Sequence, residues 1–180
     1  MIRNLYIQGL YNMSEIIAIN KIGILNYVLK DDMGQILDSS QGHPIPYLHG
    51  HGNLISGLEE ELEGKKIGDK FHAVIPPEKG YGEFDKNKEF SVHKRDLDKS
   101  ILEHLQVDAQ FMINDEQGNP VPIFVVKKEG AYVHFTRNHP LAGKTLHFDI
   151  EIVGIRESNE EELKHGHPHG IDGTSGHHHH

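Results

Sequence analysis

The chain has 180 residues, with 18 Lys and Arg against 27 Asp and Glu for a formal charge of −9, 16 histidines and no cysteine. Without cysteine there is no disulfide scaffold, no thiolate ligand and no thiol catalysis, so any metal falls to histidine, carboxylate or backbone. The acidic balance argues against a nucleic-acid partner, which needs clustered Lys and Arg, and no run of about 18 apolar residues is present to span a membrane as a helix.

At the N-terminus, Met1 to Asn12 mixes Ile2, Leu5, Ile7 and Leu10 with Arg3, Asn4 and Gln8, unlike the unbroken apolar stretch of a secretory signal. Met13-Ser14-Glu15 reads as a second start, which makes residues 1–12 either native or a leader. A cytoplasmic location is the expectation. Glu15 to Ile22 and, after Gly23, Ile24 to Leu29 read as strands, with turn chemistry at Asp31-Asp32-Met33-Gly34 before Ile36-Leu37-Asp38. Leu54, Ile55, Leu58 and Leu62 share one helical face, Glu59 to Glu61 and Glu63 the other, and Gly64 stops the helix. Phe71 to Ile75 is a strand ended by Pro76-Pro77.

A second strand set follows at Lys88 to His93, Ala109 to Ile113, Val121 to Lys127 and Tyr132 to Arg137, with helical spacing from Asp96 to Leu105 after the first. Turns at Asp115 to Asn119 and Glu129 to Ala131 make the last three a meander. Thr145 to Ile155 alternates Leu146, Phe148, Ile150 and Ile152 with His147, Asp149 and Glu151, a strand with one wet face. Ser158 to Glu161 has the pattern of a capping box opening a short helix. Beyond it, His165-Gly166-His167-Pro168-His169 is expected to be extended, with three imidazoles on one side, a donor set suited to Ni²⁺ or Zn²⁺. Residues 171–180 read as a linker and affinity tag.

No phosphate loop, nucleophile elbow or zinc-protease motif is present. Instead, apolar and aromatic residues recur beside glycines: Tyr27, Leu37-Asp38, Tyr47-Leu48, Leu54-Ile55-Ser56-Gly57-Leu58, Gly80-Tyr81-Gly82-Glu83 and Phe148-Asp149. In this order they resemble the FKBP-type peptidyl-prolyl cis-trans isomerases. The run Tyr47 to Glu59, the stretch Asn138-His139-Pro140-Leu141-Ala142-Gly143 and the tail from Arg156 to His167 are similar to the SlyD branch of that family, and the resemblance spans about residues 14 to 170.

The resemblance implies an α+β, mainly β fold, a half-barrel sheet wrapped on one helix with a small β-rich domain inserted in the flap. The isomerase domain would comprise 13–84 and 138–157, the insert 85–137, and the tail helix and His motif 158–170. It implies a pocket walled and floored by Tyr27, Leu37, Ile55, Leu58, Tyr81 and Phe148 and closed on one side by Leu141 and Ala142. Asp38 would accept a hydrogen bond there, and the Ile55 N–H and Tyr81 hydroxyl would hold the carbonyls flanking proline. Leu58 stands where eukaryotic members commonly place Trp, so weaker macrolide binding is expected. The substrates implied are proline-containing unfolded or partly folded polypeptides, no cofactor is required for catalysis, and a monomer is expected. The insert implies a chaperone role. The metal motif, at His165, His167 and His169, leaves an alternative: a nickel-binding metallochaperone with incidental isomerase activity, whose partners would be nickel-enzyme maturation proteins.

Overall fold

The computed structural model describes residues 15–173; residues 1–12 and the terminal histidines lie outside the described residues. In chain order the strands are β1 (Lys21–Lys30), β2 (Ile36–Ser39), β3 (Ile45–Leu48), β4 (Lys70–Ile75), β5 (Glu89–His93), β6 (Gln110–Asn114), β7 (Pro120–Glu129), β8 (Tyr132–Thr136) and β9 (Leu146–Glu157). The α-helices are α1 (Ser56–Leu62), α2 (Lys99–Leu102) and α3 (Glu160–His165). The chain divides into two compact units, one ending at Gly80 and resuming at Lys144, the other Tyr81–Gly143. No helix among the described residues is long and apolar enough to cross a membrane.

In the first unit β9 is central, antiparallel to β1 on one side and β4 on the other, while β2 and β3 follow one another along the remaining edge of β1. Leu25, Tyr27 and Leu29 lie directly opposite Ile152, Ile150 and Phe148. Beyond β9, Phe71, Ala73 and Ile75 oppose Ile150, Phe148 and Leu146. This inner face carries the core. Both Ile22 and Leu25 are buried although they are three residues apart, which strict alternation forbids; the register shift between Ile24 and Leu25 resets the phase.

Two strand expectations change. Residues 15–20 contribute only an isolated bridge from Ile16 to Lys66, because Asn20 turns at φ 68°. The strand then begins at Lys21 and runs through Gly23, where a Cβ would collide with the ring of Tyr47. The helix is shorter than its apolar stripe: Ile55 precedes it as an extended residue (ψ 146°), and α1 ends before Glu63.

Helix α1 sits close on the sheet. A Cβ on Gly57 would fall 2.7 Å from Ile75 Cγ2 and 3.1 Å from the Lys79 carbonyl oxygen. Gly57→Ala is therefore expected to destabilise by about 1–3 kcal/mol, overpacking outweighing the better helix propensity of alanine. Urea denaturation measures this, and a raised midpoint would contradict the close approach.

In the second unit the sheet order is β5-β8-β7-β6, all antiparallel. Ile123, Val125, Val133 and Phe135 form its core, with Phe90, Phe111, Leu97, Ile101 and Leu105 packed against them. At its neck, Asn138 accepts from the Asp85 N–H at 3.0 Å and donates to the Asp85 carbonyl at 2.9 Å. The Gly143 N–H bonds the Gly82 carbonyl at 2.8 Å. The cross-links hold both strands of the neck, and Tyr81, Leu141 and Ala142 fall within this unit.

Candidate functional site

In the first unit, the Tyr27 hydroxyl donates to Asp38 Oδ2 at 2.7 Å, and the Ser39 N–H donates to Asp38 Oδ1 at 2.8 Å. The β1–β2 pairing that brings them together is reinforced by Ser40, whose Oγ accepts the Tyr27 N–H at 3.1 Å. The Tyr27 and Phe148 rings lie 6.3 Å apart at 53°, within the range of favourable tilted pairs. Phe148 and Leu58 are 5% and 4% exposed, whereas Leu37 and Ile55 are half-buried and Asp38 is exposed. The Ile55 carbonyl caps the start of α1 by accepting from Leu58 and Glu59, and its own N–H lies outside the helical ladder. A hollow of about 560 Å³ near Ser39 to Gly42 includes Tyr27 but none of the other expected pocket residues.

In the second unit, Tyr81 stacks on His139 with centroids 4.0 Å apart and planes 5° from parallel. His139 Nδ1 accepts the Leu141 N–H at 3.1 Å and its carbonyl accepts the Ala142 N–H at 2.9 Å. His139 thus orders all three expected site residues of this unit, a role that was not read from the sequence. The signal was its spacing: a ring nitrogen two residues before Leu141 can bond that backbone N–H, as Asx side chains do in turns.

Burial holds His139 below the ordinary imidazole pKa. A lowered value favours the neutral ring in the folded state. Its contribution is complete above about pH 6.5 and is lost as pH falls through the depressed folded value. An NMR titration of the His139 ring is expected to give a midpoint below 6.5, with the Leu141 amide shift following it; a midpoint above 6.5 would refute this bond's role.

The tail histidines meet, but not on an extended segment. His165 ends α3, Gly166 turns left-handed at φ 75°, and the chain folds back. One nitrogen from each of His165, His167 and His169 lies within 4.8 Å of the others. The capping box is formed by Asn159 and Glu162, one residue later than expected, because Ser158 instead donates to the Asn20 carbonyl. Glu162, fully buried, is bound by both arms of Arg156 at 2.6 and 3.0 Å and accepts the His169 N–H at 2.8 Å. Arg156, aided by these N–H donors, holds Glu162 at a pKa of about 2. His49 is structural: buried, it joins the Tyr47 hydroxyl to Glu63. Burial, then the charges of Glu59 and Glu63, pushes the Tyr47 hydroxyl far above the ordinary phenol range.

Residues 18–153 match the model of the FKBP-type peptidyl-prolyl cis-trans isomerases. The chain belongs to that family. It is 44% identical over 147 residues to the FKBP-type peptidyl-prolyl cis-trans isomerase SlyD of Escherichia coli K12, covering 81% of this chain and 74% of that protein. It is 40% identical over 152 residues to the SlyD of Haemophilus influenzae, covering 84% and 78%. The crystal structure of FkpA from Escherichia coli aligns with TM-score 0.43 and 20% identity, covering 80% of this chain and 44% of that one. A mainly β fold of FKBP type and a peptidyl-prolyl isomerase of SlyD type are what the family and the sheet topology establish.

Proposed function

We propose that the chain isomerises X-Pro bonds in an apolar pocket of the first unit, walled by Tyr27, Leu37, Asp38, Ile55, Leu58 and Phe148, with the insert capturing unfolded chain. The observation that carries the pocket is the Tyr27, Asp38 and Phe148 cluster at the edge of the inner face: an apolar wall with one anchored acceptor.

The barrier to amide rotation, about 18–20 kcal/mol, comes from resonance that is lost when the bond twists. The twisted carbonyl is less polar than the planar one. Phe148 and Leu58, which offer no hydrogen bond, therefore disfavour the solvated planar amide more than the twisted one. Asp38 is fixed by Tyr27 and the Ser39 N–H, so it presents a preset acceptor rather than a proton donor. The Ile55 N–H offers a donor to a carbonyl beside the proline. No step transfers a proton or forms a covalent bond.

Capture by the insert is supported by exposed apolar side chains on that unit, among them Val107, Met112, Val126 and Tyr132 at 55%, 58%, 38% and 50%. Refolding of a protein limited by X-Pro isomerisation tests the pocket. Acceleration is expected, with its loss in the double variant Tyr27→Ala, Phe148→Ala; no acceleration, or acceleration that survives both changes, overturns the assignment. Tyr27→Phe, which keeps the ring and frees Asp38, is expected to cost about 3–10-fold in kcat/KM, the worth of one hydrogen bond.

A second reading, nickel or zinc handling, is favoured by the convergence of His165, His167 and His169. Three imidazoles leave room for water or a client protein's ligand on the ion, which suits delivery. Calorimetry with Ni²⁺ on protein lacking His177 to His180 is expected to show one equivalent, removed by replacing the three histidines; no binding refutes it.

A further inference from the structure

The outer face of the first sheet carries a second histidine arrangement, on strands far from the tail. His72 of β4 pairs with Asp149 of β9 across the ladder, and His147, two residues before Asp149, projects on the same face. His72 Nδ1 meets Asp149 Oδ1 at 2.8 Å, and His147 Nε2 meets Asp32 Oδ1 at 2.7 Å. The remaining nitrogens, His72 Nε2 and His147 Nδ1, face each other at 3.3 Å.

Proton bookkeeping decides what that contact means. An ionised carboxylate can only accept, so in its neutral form each imidazole places its single N–H toward Asp149 or Asp32. Lys30 Nζ, 3.2 Å from the other oxygen of Asp149, helps keep that group charged. Both facing nitrogens are then bare lone pairs, which repel unless a cation lies between them. Their spacing fits one: with metal–nitrogen bonds of about 2.0–2.1 Å at a tetrahedral angle, two ligand nitrogens stand about 3.3–3.4 Å apart. Carboxylates on the far nitrogens are the usual supports of metal-bound histidines, fixing the tautomer and raising basicity. The side chains of His72 and His147 are 49% and 25% exposed, so water can complete the coordination.

We propose that His72 and His147 form a divalent transition-metal site of the zinc type, backed by Asp149 and Asp32, which clasps β4, β9 and the β1–β2 turn. It is independent of the tail cluster and of the prolyl pocket.

The test uses the chain with His165, His167 and His169 replaced by Ala and residues 174–180 removed, so that the tail offers no imidazole. Zn²⁺ calorimetry is expected to show one equivalent, and Co²⁺ the intense visible bands of tetrahedral coordination. His72→Gln or His147→Gln is expected to abolish both signals, and Asp149→Asn or Asp32→Asn to weaken affinity about 10–100-fold. All four side chains lie on the solvent face, and thermal melting without metal checks that each variant folds. No bound equivalent, binding unchanged in both Gln variants, or a ring-to-ring proton that Zn²⁺ does not displace overturns the proposal.

Discussion

Arg156→Met is expected to cost about 3–5 kcal/mol of stability, the penalty for leaving a buried carboxylate without its partner, and to weaken Ni²⁺ binding by the tail about 10–100-fold. Glu162 is the buried group: fully covered, it accepts from both Arg156 arms, from the Asn159 N–H at 3.0 Å and from the His169 N–H at 2.8 Å. The same guanidinium donates to the carbonyls of Gly170 and Ile171. Arg156 thus winds the chain after α3 around itself, and the three histidines inherit their positions from it. The pH dependence has a definite sign. The carboxyl of Glu162 falls from an ordinary 4.5 to about 2, so its contribution is complete above pH 4.5 and disappears as pH falls toward 2. Urea midpoints at pH 7 and pH 3, with Ni²⁺ calorimetry at pH 7, are the measurements. A variant with an unchanged midpoint and unchanged metal affinity would remove Arg156 from this role.

Excising Lys86–Thr136, with Asp85 joined to Arg137 by a short glycine linker, is expected to slow catalysed refolding of a whole protein about 100-fold while leaving tetrapeptide isomerisation within a few-fold. The cut keeps Tyr81, His139, Leu141 and Ala142, and keeps Asp85 bonded to Asn138. What it removes is the sheet bearing Met112, Val126 and Tyr132. A captured chain presents its prolines to the pocket at the effective concentration of a tethered ligand, an advantage of about 10²–10⁴ that free peptides never enjoy. Equal losses on both substrates would place the insert in the pocket itself. No loss on either would deny it a capturing role.

Much of this architecture is readable residue by residue. The alternation of Leu146, Phe148, Ile150 and Ile152 against charged neighbours identifies β9 because one face of an antiparallel sheet is wet, and the turn residues around β6, β7 and β8 mark their hairpins. The sequence predicts no strand at β3, since Pro44 and Pro46 argue against a ladder. It forms because, among the described residues, β3 pairs only with β1, so the absent N–H of Pro46 costs little. The tail reads as extended from the sequence, because its turn depends on one left-handed glycine and on Glu162 reaching the His169 N–H, a tertiary bond with no local signature. His72 and His147 stand 75 residues apart. Only strand register unites them.

The placement of β9 dictates an order of assembly. Lys21, at the start of β1, pairs with Glu157, at the end of β9, across a separation of 136 residues. Every strand of the insert lies between β4 and β9 in the chain. During synthesis, at about 5–20 residues per second, the insert's sheet is therefore complete while the host sheet still lacks its middle strand. Once formed, the insert fastens Gly82 to Gly143, and the loop that β9 must close is shortened by the whole insert, lowering a closure entropy that grows with loop length. The insert thus emerges folded while β4 still lacks its partner and β1 is paired only with β2 and β3.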